Sequence, residues 1–316
     1  MLWHRQGGIA SLRWLSLLVL LLCGVSSRGD EGKAAGVKEW TDSFSAGGTK
    51  IRVRWFQPMA KGKHPVIVLL HTVNGVAKDL ELYRAQGERY ARQGMAVLLV
   101  HYFDRTRGAG GDLAAAQDYF RRFFQAETCP KGDLAKTMAQ HFRNWKDTVT
   151  QAVAYARAQD HVDSKRIALA GVSLGACLAL SVAGQEDLRI AAVAELFGCL
   201  PKNIHNHIRT MPPTLIIHGS LDKHVPVAQS HKLREFLNAR KAPCELKVYE
   251  FGHCFEKAAL VDILDVQSRL QAFFKKYLQP EISPLTPGCL CRKFEPGWEF
   301  RALFPHFNDC YWSGRG

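Results

Sequence analysis

The feature that most restricts the fold is a series of short, mainly apolar runs, most of them separated from the next by a stretch with helical periodicity. Unbroken apolar runs of this length are typical of strands buried on both faces of a sheet. Strands that alternate with helices indicate right-handed βαβ connections and a mainly parallel sheet with helices on both faces. The predicted buried strands cover residues 64–70, 95–100, 166–172, 189–197 and 213–218, and a further strand with alternating pattern covers 245–251.

The two ends of the chain differ from this central part. Arg5 and Arg13 precede or flank an apolar run at 14–25 that is followed by small residues, and this pattern is typical of a secretory signal peptide over residues 1–27. The run is too short for a stable membrane span, which needs about twenty residues. We therefore predict a signal peptide at 1–27, an α/β domain at 28–280 and a tail at 281–316 that is rich in cysteine and aromatic residues, and we expect export to a periplasm or out of the cell.

Within the domain, the first predicted element is an antiparallel hairpin. Residues 38–56 alternate loosely in hydrophobicity around Gly47-Gly48, and such a pattern suits two strands at the edge of a sheet. The segment at 113–142 is the least regular part, and a helix is predicted at 142–159.

The chain is basic, with a formal net charge of +13 that falls to +11 without residues 1–27. The lysines and arginines are scattered and form no dense run, so a solvated cationic surface is favoured over a nucleic-acid site. Eight of the nine cysteines remain after cleavage, an even number that permits disulfides in an exported chain. Cys177 lies in an apolar helix and is predicted to be a buried free thiol.

The stretch at 166–180 contains Gly171-Val-Ser-Leu-Gly175 between a predicted strand and a predicted helix. This is the G-x-S-x-G pattern, in which glycines let strand and helix approach closely and hold a serine at a sharp turn. Ser173 is therefore the predicted nucleophile, and the pattern carries weight because partner residues accompany it.

Asp222 and His253 are the predicted partners of Ser173, since each follows a later strand. The separations along the chain are 49 and 31 residues, enough for intervening βα units, and the order Ser, Asp, His is the one that this strand–turn–helix motif uses. His253 would take the proton of Ser173 during attack on an acyl carbon, and Asp222 would orient the imidazole.

An acyl transfer also requires donors for the oxyanion. The N–H of Leu174, directly after the nucleophile, is one predicted donor. The second is expected from the loop after the strand at 64–70, with Val73 as the choice and Thr72 as the alternative.

The arrangement of HPVIVLLHTVNG, the strand ending in HYFDR, RIALAGVSLGA, LIIHGSLDKHVP and VYEFGHCF resembles the dienelactone hydrolase family, over about residues 38–278. The resemblance implies an α/β-hydrolase fold, the triad Ser173, Asp222 and His253, and the oxyanion donors Val73 and Leu174. It also implies that Arg105, with Arg107 as the alternative, binds a substrate carboxylate. Founding members of the family carry a cysteine nucleophile and an acidic residue where this chain has Ser173 and Thr72. These two differences argue against a dienelactone as the substrate of this chain.

The sequence thus predicts an exported serine hydrolase that cleaves a small-molecule ester or lactone through an acyl-enzyme, with no metal and no organic cofactor. A serine peptidase of the same fold is the first alternative. A binding module on an inactive hydrolase scaffold is the second, and the intact trio argues against it. The tail at 281–316 could dock a partner or a surface, and the oligomeric state is left open.

Overall fold

A computed structural model of the chain describes residues 36–106, 132–201, 205 and 208–279. The predicted signal peptide, the predicted tail, Arg107 and most of the predicted irregular segment lie outside the described residues. The division of the chain into these segments therefore stays a prediction.

Eight strands of the described residues form one sheet. Their bounds are β1 Val37–Ala46, β2 Thr49–Pro58, β3 His64–Leu70, β4 Ala96–Val100, β5 Val162–Val172, β6 Ala192–Leu196, β7 Thr214–Gly219 and β8 Cys244–Tyr249. The strand order across the sheet is β1-β2-β4-β3-β5-β6-β7-β8. β1 pairs with β2 and β2 with β4 in antiparallel register, and all other pairs are parallel. The predicted mainly parallel sheet with an antiparallel N-terminal hairpin is confirmed.

The edge hairpin turns at the predicted glycine pair. Gly47 and Gly48 both have positive φ, at 49° and 76°, a backbone conformation in which a side chain is strained. The turn joins Ala46 of β1 directly to Thr49 of β2.

In the part of the chain that the structure describes, five α-helices cover the sheet, and three shorter 3₁₀ turns lie in the connections. The helices are α1 Leu80–Arg92, α2 Asp133–Arg157, α3 Leu174–Ala183, α4 Ala228–Ala239 and α5 Leu260–Leu278, and the 3₁₀ turns are Tyr102–Thr106, Glu186–Leu188 and His253–Phe255. Buried side chains from α2, α3 and α4 join one hydrophobic cluster, whereas those from α1 and α5 join a second one. The strands contribute alternate residues to the two clusters, so the helices lie on both faces, as predicted.

The helix α2 is longer than the sequence pattern suggested. It begins at Asp133, so residues 133–141, which we predicted to be irregular, are helical. The reason is that Met138, which is buried, and Phe142, which packs against the core, continue the apolar stripe of Trp145 and Val149 by two turns.

The topology places the loops that carry the predicted site residues at one edge of the sheet. β3, β5, β7 and β8 are parallel, so their carboxyl ends and the loops that follow them lie at the same edge. Among the described residues, no helix is long and apolar enough to cross a membrane.

Candidate active site

Ser173 occupies a sharp turn between β5 and α3. Its backbone has φ 55° and ψ −116°, a conformation that costs on the order of 1–3 kcal/mol for a residue with a side chain. The Ser173 N–H donates to Leu196 O of β6 at 2.8 Å, and the Ser173 carbonyl accepts the N–H of Ala176 at the start of α3. These backbone bonds hold the turn and leave the hydroxyl for other partners.

The glycines on either side of Ser173 are required by close packing. A Cβ on Gly171 would lie 2.2 Å from Gly175 O, and a Cβ on Gly175 would lie 2.4 Å from Leu70 O of β3. Both distances are far below van der Waals contact with backbone atoms. The strand-to-helix turn therefore exists in this form only with glycine at both positions.

The structure brings together the three side chains that the sequence predicted. His253 Nε2 lies 2.9 Å from Ser173 Oγ, and His253 Nδ1 lies 2.7 Å from Asp222 Oδ2. Because an ionised carboxylate only accepts, Nδ1 carries the hydrogen and Nε2 is free to accept the serine proton. The Asp222 side chain is completely buried, and that of His253 is 15% exposed.

Asp222 is fixed by the loop between β7 and α4. Its Oδ1 accepts the N–H groups of His224 and Val225, each at 2.8 Å. Burial raises the pKa of Asp222, but hydrogen bonds from His218, His253 and the backbone lower it by more, so the net pKa lies well below its ordinary value. Asp222 is therefore a carboxylate throughout the neutral range.

His253 begins a short 3₁₀ turn after β8, and aromatic side chains flank its ring. Phe197 packs edge-on against the imidazole with 5.6 Å between centroids, and the ring of His224 lies at 5.1 Å. Burial lowers the pKa of His253, but the adjacent Cys254 and the Asp222 carboxylate raise it by more, so the net pKa lies above its ordinary value. As a general base, His253 must be neutral, so its function is lost as the pH falls below that pKa.

The loop after β3 carries the predicted oxyanion donor Val73 and is fixed at Thr72. The Thr72 N–H donates to the Tyr83 hydroxyl at 3.0 Å, and the Thr72 carbonyl faces His71 Nδ1 at 2.7 Å. A donor that is already engaged cannot serve an oxyanion, which disfavours the alternative Thr72. Within the described part of the chain, neither the Val73 N–H nor the Leu174 N–H donates to another protein group.

His71 contacts this loop and helps to fix its position. It is buried, and its ring stacks on Tyr102 with 3.8 Å between centroids, while the Tyr102 hydroxyl donates to His71 O at 2.7 Å. Burial lowers the pKa of His71 to about 3, so the ring is neutral and Nδ1–H donates to Thr72 O. The two tyrosines and the neutral histidine thus hold the backbone next to Val73.

Arg105 is directed to the N-terminal hairpin in this structure. Its Nη1 donates to Gly47 O at 2.6 Å and lies 3.4 Å from Thr49 Oγ1, and the structure does not bring it into contact with the Ser173 group. The neighbouring Asp104 pairs with Arg52 at 2.7 Å. The role of Arg105 in binding a substrate carboxylate stays a prediction.

Several polar residues that support the site were not predicted from the sequence, namely His218, Ser230, Glu195, Tyr83 and Tyr102. An acid inside the apolar run of β6 and a histidine near the end of β7 were visible signals, because buried charged groups are rare without a partner.

Cys177 is buried and free, as predicted, with its Sγ 3.6 Å from that of Cys199. Among the described residues, no group of three or more His, Cys, Asp or Glu side chains could hold a metal ion.

Comparisons with known proteins identify the family and the fold of the chain. The sequence profile of the dienelactone hydrolase family matches residues 51–268. None of the curated protein sequences compared with the chain matches it.

Three solved structures illustrate the structural similarity. The dienelactone hydrolase from Anabaena variabilis is 18% identical with a TM-score of 0.54, and the match covers 77% of this chain and 99% of that one. The esterase Est22 is 16% identical with a TM-score of 0.53, and the match covers 84% and 87%. A puromycin-hydrolyzing peptidase from Mycobacterium tuberculosis is 17% identical with a TM-score of 0.53, and the match covers 80% of this chain and 41% of the peptidase. These similarities show that the fold is the α/β-hydrolase fold.

Proposed function

The chain belongs to the dienelactone hydrolase family, and on that premise we propose that it is a serine hydrolase that cleaves an ester or a lactone through an acyl-enzyme on Ser173. The observation that carries the proposal is the pair of hydrogen bonds from Asp222 through His253 to Ser173 Oγ, at 2.7 and 2.9 Å. A serine hydroxyl is a poor nucleophile near neutral pH, and a histidine held in one tautomer is what activates it.

In the first half of the reaction, Ser173 Oγ forms a bond to the acyl carbon while His253 Nε2 takes the hydroxyl proton. The carbonyl oxygen becomes an oxyanion that the N–H groups of Leu174 and Val73 stabilise, and one such donor is typically worth about 3 kcal/mol of the barrier. His253 then gives its proton to the leaving oxygen as the bond to the acyl carbon breaks. Asp222 stabilises the imidazolium throughout.

In the second half, a water molecule takes the place of the alcohol. His253 accepts a water proton as the water oxygen attacks the acyl carbon, and it returns that proton to Ser173 Oγ when the acyl–serine bond breaks. The products are a carboxylic acid and the free enzyme.

A panel of p-nitrophenyl esters, lactones and amides tests the reaction class, with Ser173→Ala as the inactive variant. We expect ester or lactone turnover that Ser173→Ala abolishes. Turnover that survives in Ser173→Ala would overturn the proposal.

A serine peptidase is the second candidate, and the observation that favours it is the structural similarity to a puromycin-hydrolyzing peptidase. The chain matches 41% of the length of that peptidase, so most of that protein has no counterpart in the match. Amide cleavage with a kcat/KM above that of the matched ester would establish the peptidase and exclude the esterase.

We also propose that the protein is exported, because the sequence of residues 1–27 has the charged, apolar and small-residue regions of a signal peptide. Expression of the full chain in a secreting host tests this. The expected result is an extracytoplasmic protein whose N-terminus is Arg28, and retention of residues 1–27 on an intracellular protein would contradict it.

A further inference from the structure

Three buried polar residues lie close to Asp222. His218 is the penultimate residue of β7, Ser230 lies in the first turn of α4, and Glu195 lies in β6 beside β7. All three are fully buried, and the proposed reaction gives none of them a role. Buried polar groups are costly unless they are hydrogen-bonded, so this cluster requires an explanation.

His218 connects the cluster to the triad. Its Nε2 lies 2.9 Å from Val225 O and 3.3 Å from Asp222 Oδ2. Both oxygens only accept, so Nε2 carries a hydrogen. Asp222 Oδ2 therefore receives N–H groups from two histidines, His253 and His218.

Ser230 connects His218 to Glu195. The Ser230 hydroxyl lies 2.7 Å from His218 Nδ1, and Ser230 is one of the groups that oppose the rise in the pKa of Glu195. Glu195 Oε2 accepts the Gly198 N–H at 2.8 Å, whereas Oε1 has no hydrogen-bond partner among the described residues. An ionised carboxylate with one oxygen unpaired is unfavourable in this position.

The cluster can therefore hold one proton in two arrangements of equal total charge. In the first, Glu195 is a neutral acid and Ser230 donates to the neutral ring of His218. In the second, His218 is an imidazolium that donates to Ser230, and Ser230 donates to the Glu195 carboxylate. The change between them moves one proton from Glu195 to the serine oxygen and one from Ser230 to His218 Nδ1.

Burial and the neighbouring charges act on both ionisable groups of the cluster. Burial raises the pKa of Glu195 to about 7, although His218, Gly198 and Ser230 oppose the rise. Burial lowers the pKa of His218, but Asp222 and Glu195 raise it by more. Of the other titratable groups, Cys199 faces Glu195, and Cys254 and His224 face His253.

We propose that His218, Ser230 and Glu195 are positioning residues that orient Asp222 and, through it, set how strongly His253 holds its proton. An N–H group or a positive charge of His218 at Asp222 Oδ2 partly neutralises the carboxylate. The carboxylate then stabilises the protonated form of His253 less strongly. A cationic His218 therefore favours neutral His253, the form that acts as a base. The catalytic consequence rests on the proposed function, whereas the electrostatic link does not.

The direct test is to measure the pKa of the His253 ring by NMR titration. The measurement is made in the Ser173→Ala background, because it requires no turnover. Glu195→Gln and Ser230→Ala each remove the cationic form of His218, the first by removing its counter-charge and the second by removing the acceptor for Nδ1–H. Both should raise the pKa of His253 by about half a unit or more. Combining them should add little to either single shift, because both break one chain.

Two matched variants serve as controls. Ser181→Ala removes another buried helical serine, whose hydroxyl donates to Cys177 O at 2.6 Å, and it should leave the pKa of His253 unchanged. Ser230→Thr keeps the hydroxyl and should also retain the original pKa. In enzyme with Ser173 intact, the acid limb of kcat/KM should move to higher pH in Glu195→Gln and Ser230→Ala.

An unchanged His253 pKa in folded Glu195→Gln and folded Ser230→Ala would overturn the proposal, and so would an equal shift in Ser181→Ala. If Glu195→Gln does not fold, Ser230→Ala and Ser230→Thr still decide the question. Turnover that persists in Ser173→Ala would contradict the proposed function alone, because the titration measures the electrostatic link without catalysis.

Discussion

At the scale of single residues, His253 is held at both ring nitrogens. Nδ1–H is bound by the buried Asp222 carboxylate, and Nε2 faces the serine hydroxyl. Asp222 itself is held by two backbone N–H groups on its other oxygen. The Asp222 carboxylate thus fixes both the tautomer and the orientation of the His253 ring.

Asp222→Asn should lower kcat by about 10⁴-fold without unfolding the protein. The amide can still accept the two backbone N–H groups, but it can present an N–H to His253 and favour the tautomer with hydrogen on Nε2. Steady-state kinetics with circular dichroism measure this. A folded variant with less than a tenfold loss would contradict the assigned role of Asp222.

Tyr83→Phe should lower kcat by about tenfold, because it leaves the buried Thr72 N–H without its acceptor and loosens the loop that carries Val73. Tyr90→Phe is the matched control, since Tyr90 is buried on the same helix and packs against Phe274 of α5. The comparison of kcat for the two variants is the measurement. Equal losses would mean that Tyr83 acts only through the stability of the helix.

At the scale of elements, the contact between β3, β5 and α3 decides whether Ser173 can be presented at all. The backbone of Gly175 packs directly on the end of β3, next to the loop that carries Val73. The nucleophile and the predicted oxyanion donors are therefore parts of one closely packed junction.

Gly175→Ala should destabilise this junction by about 3 kcal/mol, because its Cβ would meet Leu70 O at 2.4 Å. Gly48→Asn is a suitable control, since a Cβ at Gly48 meets nothing within 4 Å and asparagine tolerates positive φ. Urea unfolding compares the two. A Gly175→Ala variant as stable as Gly48→Asn would show that the junction can relax.

Most elements could be predicted from periodicity, because the centres of β3, β4 and β7 are apolar runs. The start of α2 could not, because Met138 is separated from Trp145 by mainly polar residues that weaken the stripe. The order Ser, Asp, His predicted which residues meet, but no sequence pattern reveals that Arg105 is directed to the β1–β2 turn or that Tyr83 reaches Thr72. Those contacts depend on tertiary packing between segments far apart in the chain.

At the scale of the whole molecule, buried titratable groups make stability depend on pH. The pKa of His71 is lowered by burial to about 3, whereas in the unfolded chain it is near 6.5. The unfolded state therefore binds more protons between these values, and the free energy of unfolding falls as the pH drops from 6.5. His101, whose pKa is lowered to about 4 mainly by burial, acts in the same direction, and Glu195, with a raised pKa, opposes them above pH 4.5.

His71→Asn should make this pH dependence less steep, because asparagine does not titrate and its amide can still donate toward Thr72 O. His71 contributes up to about 1.4 kcal/mol per pH unit between pH 6.5 and 4.5. Urea unfolding at pH 6.5, 5.5 and 4.5 measures the slope for both proteins. An unchanged slope would mean that His71 does not remain neutral in the folded state.

The most direct test of the central claim is labelling of the protein with a fluorophosphonate, followed by mass spectrometry of its peptides. If Ser173 is the activated nucleophile, the label appears on the peptide that contains Ser173, persists in Ser181→Ala and disappears in Ser173→Ala. A folded protein that takes no label, or a label that persists in Ser173→Ala, would contradict the account.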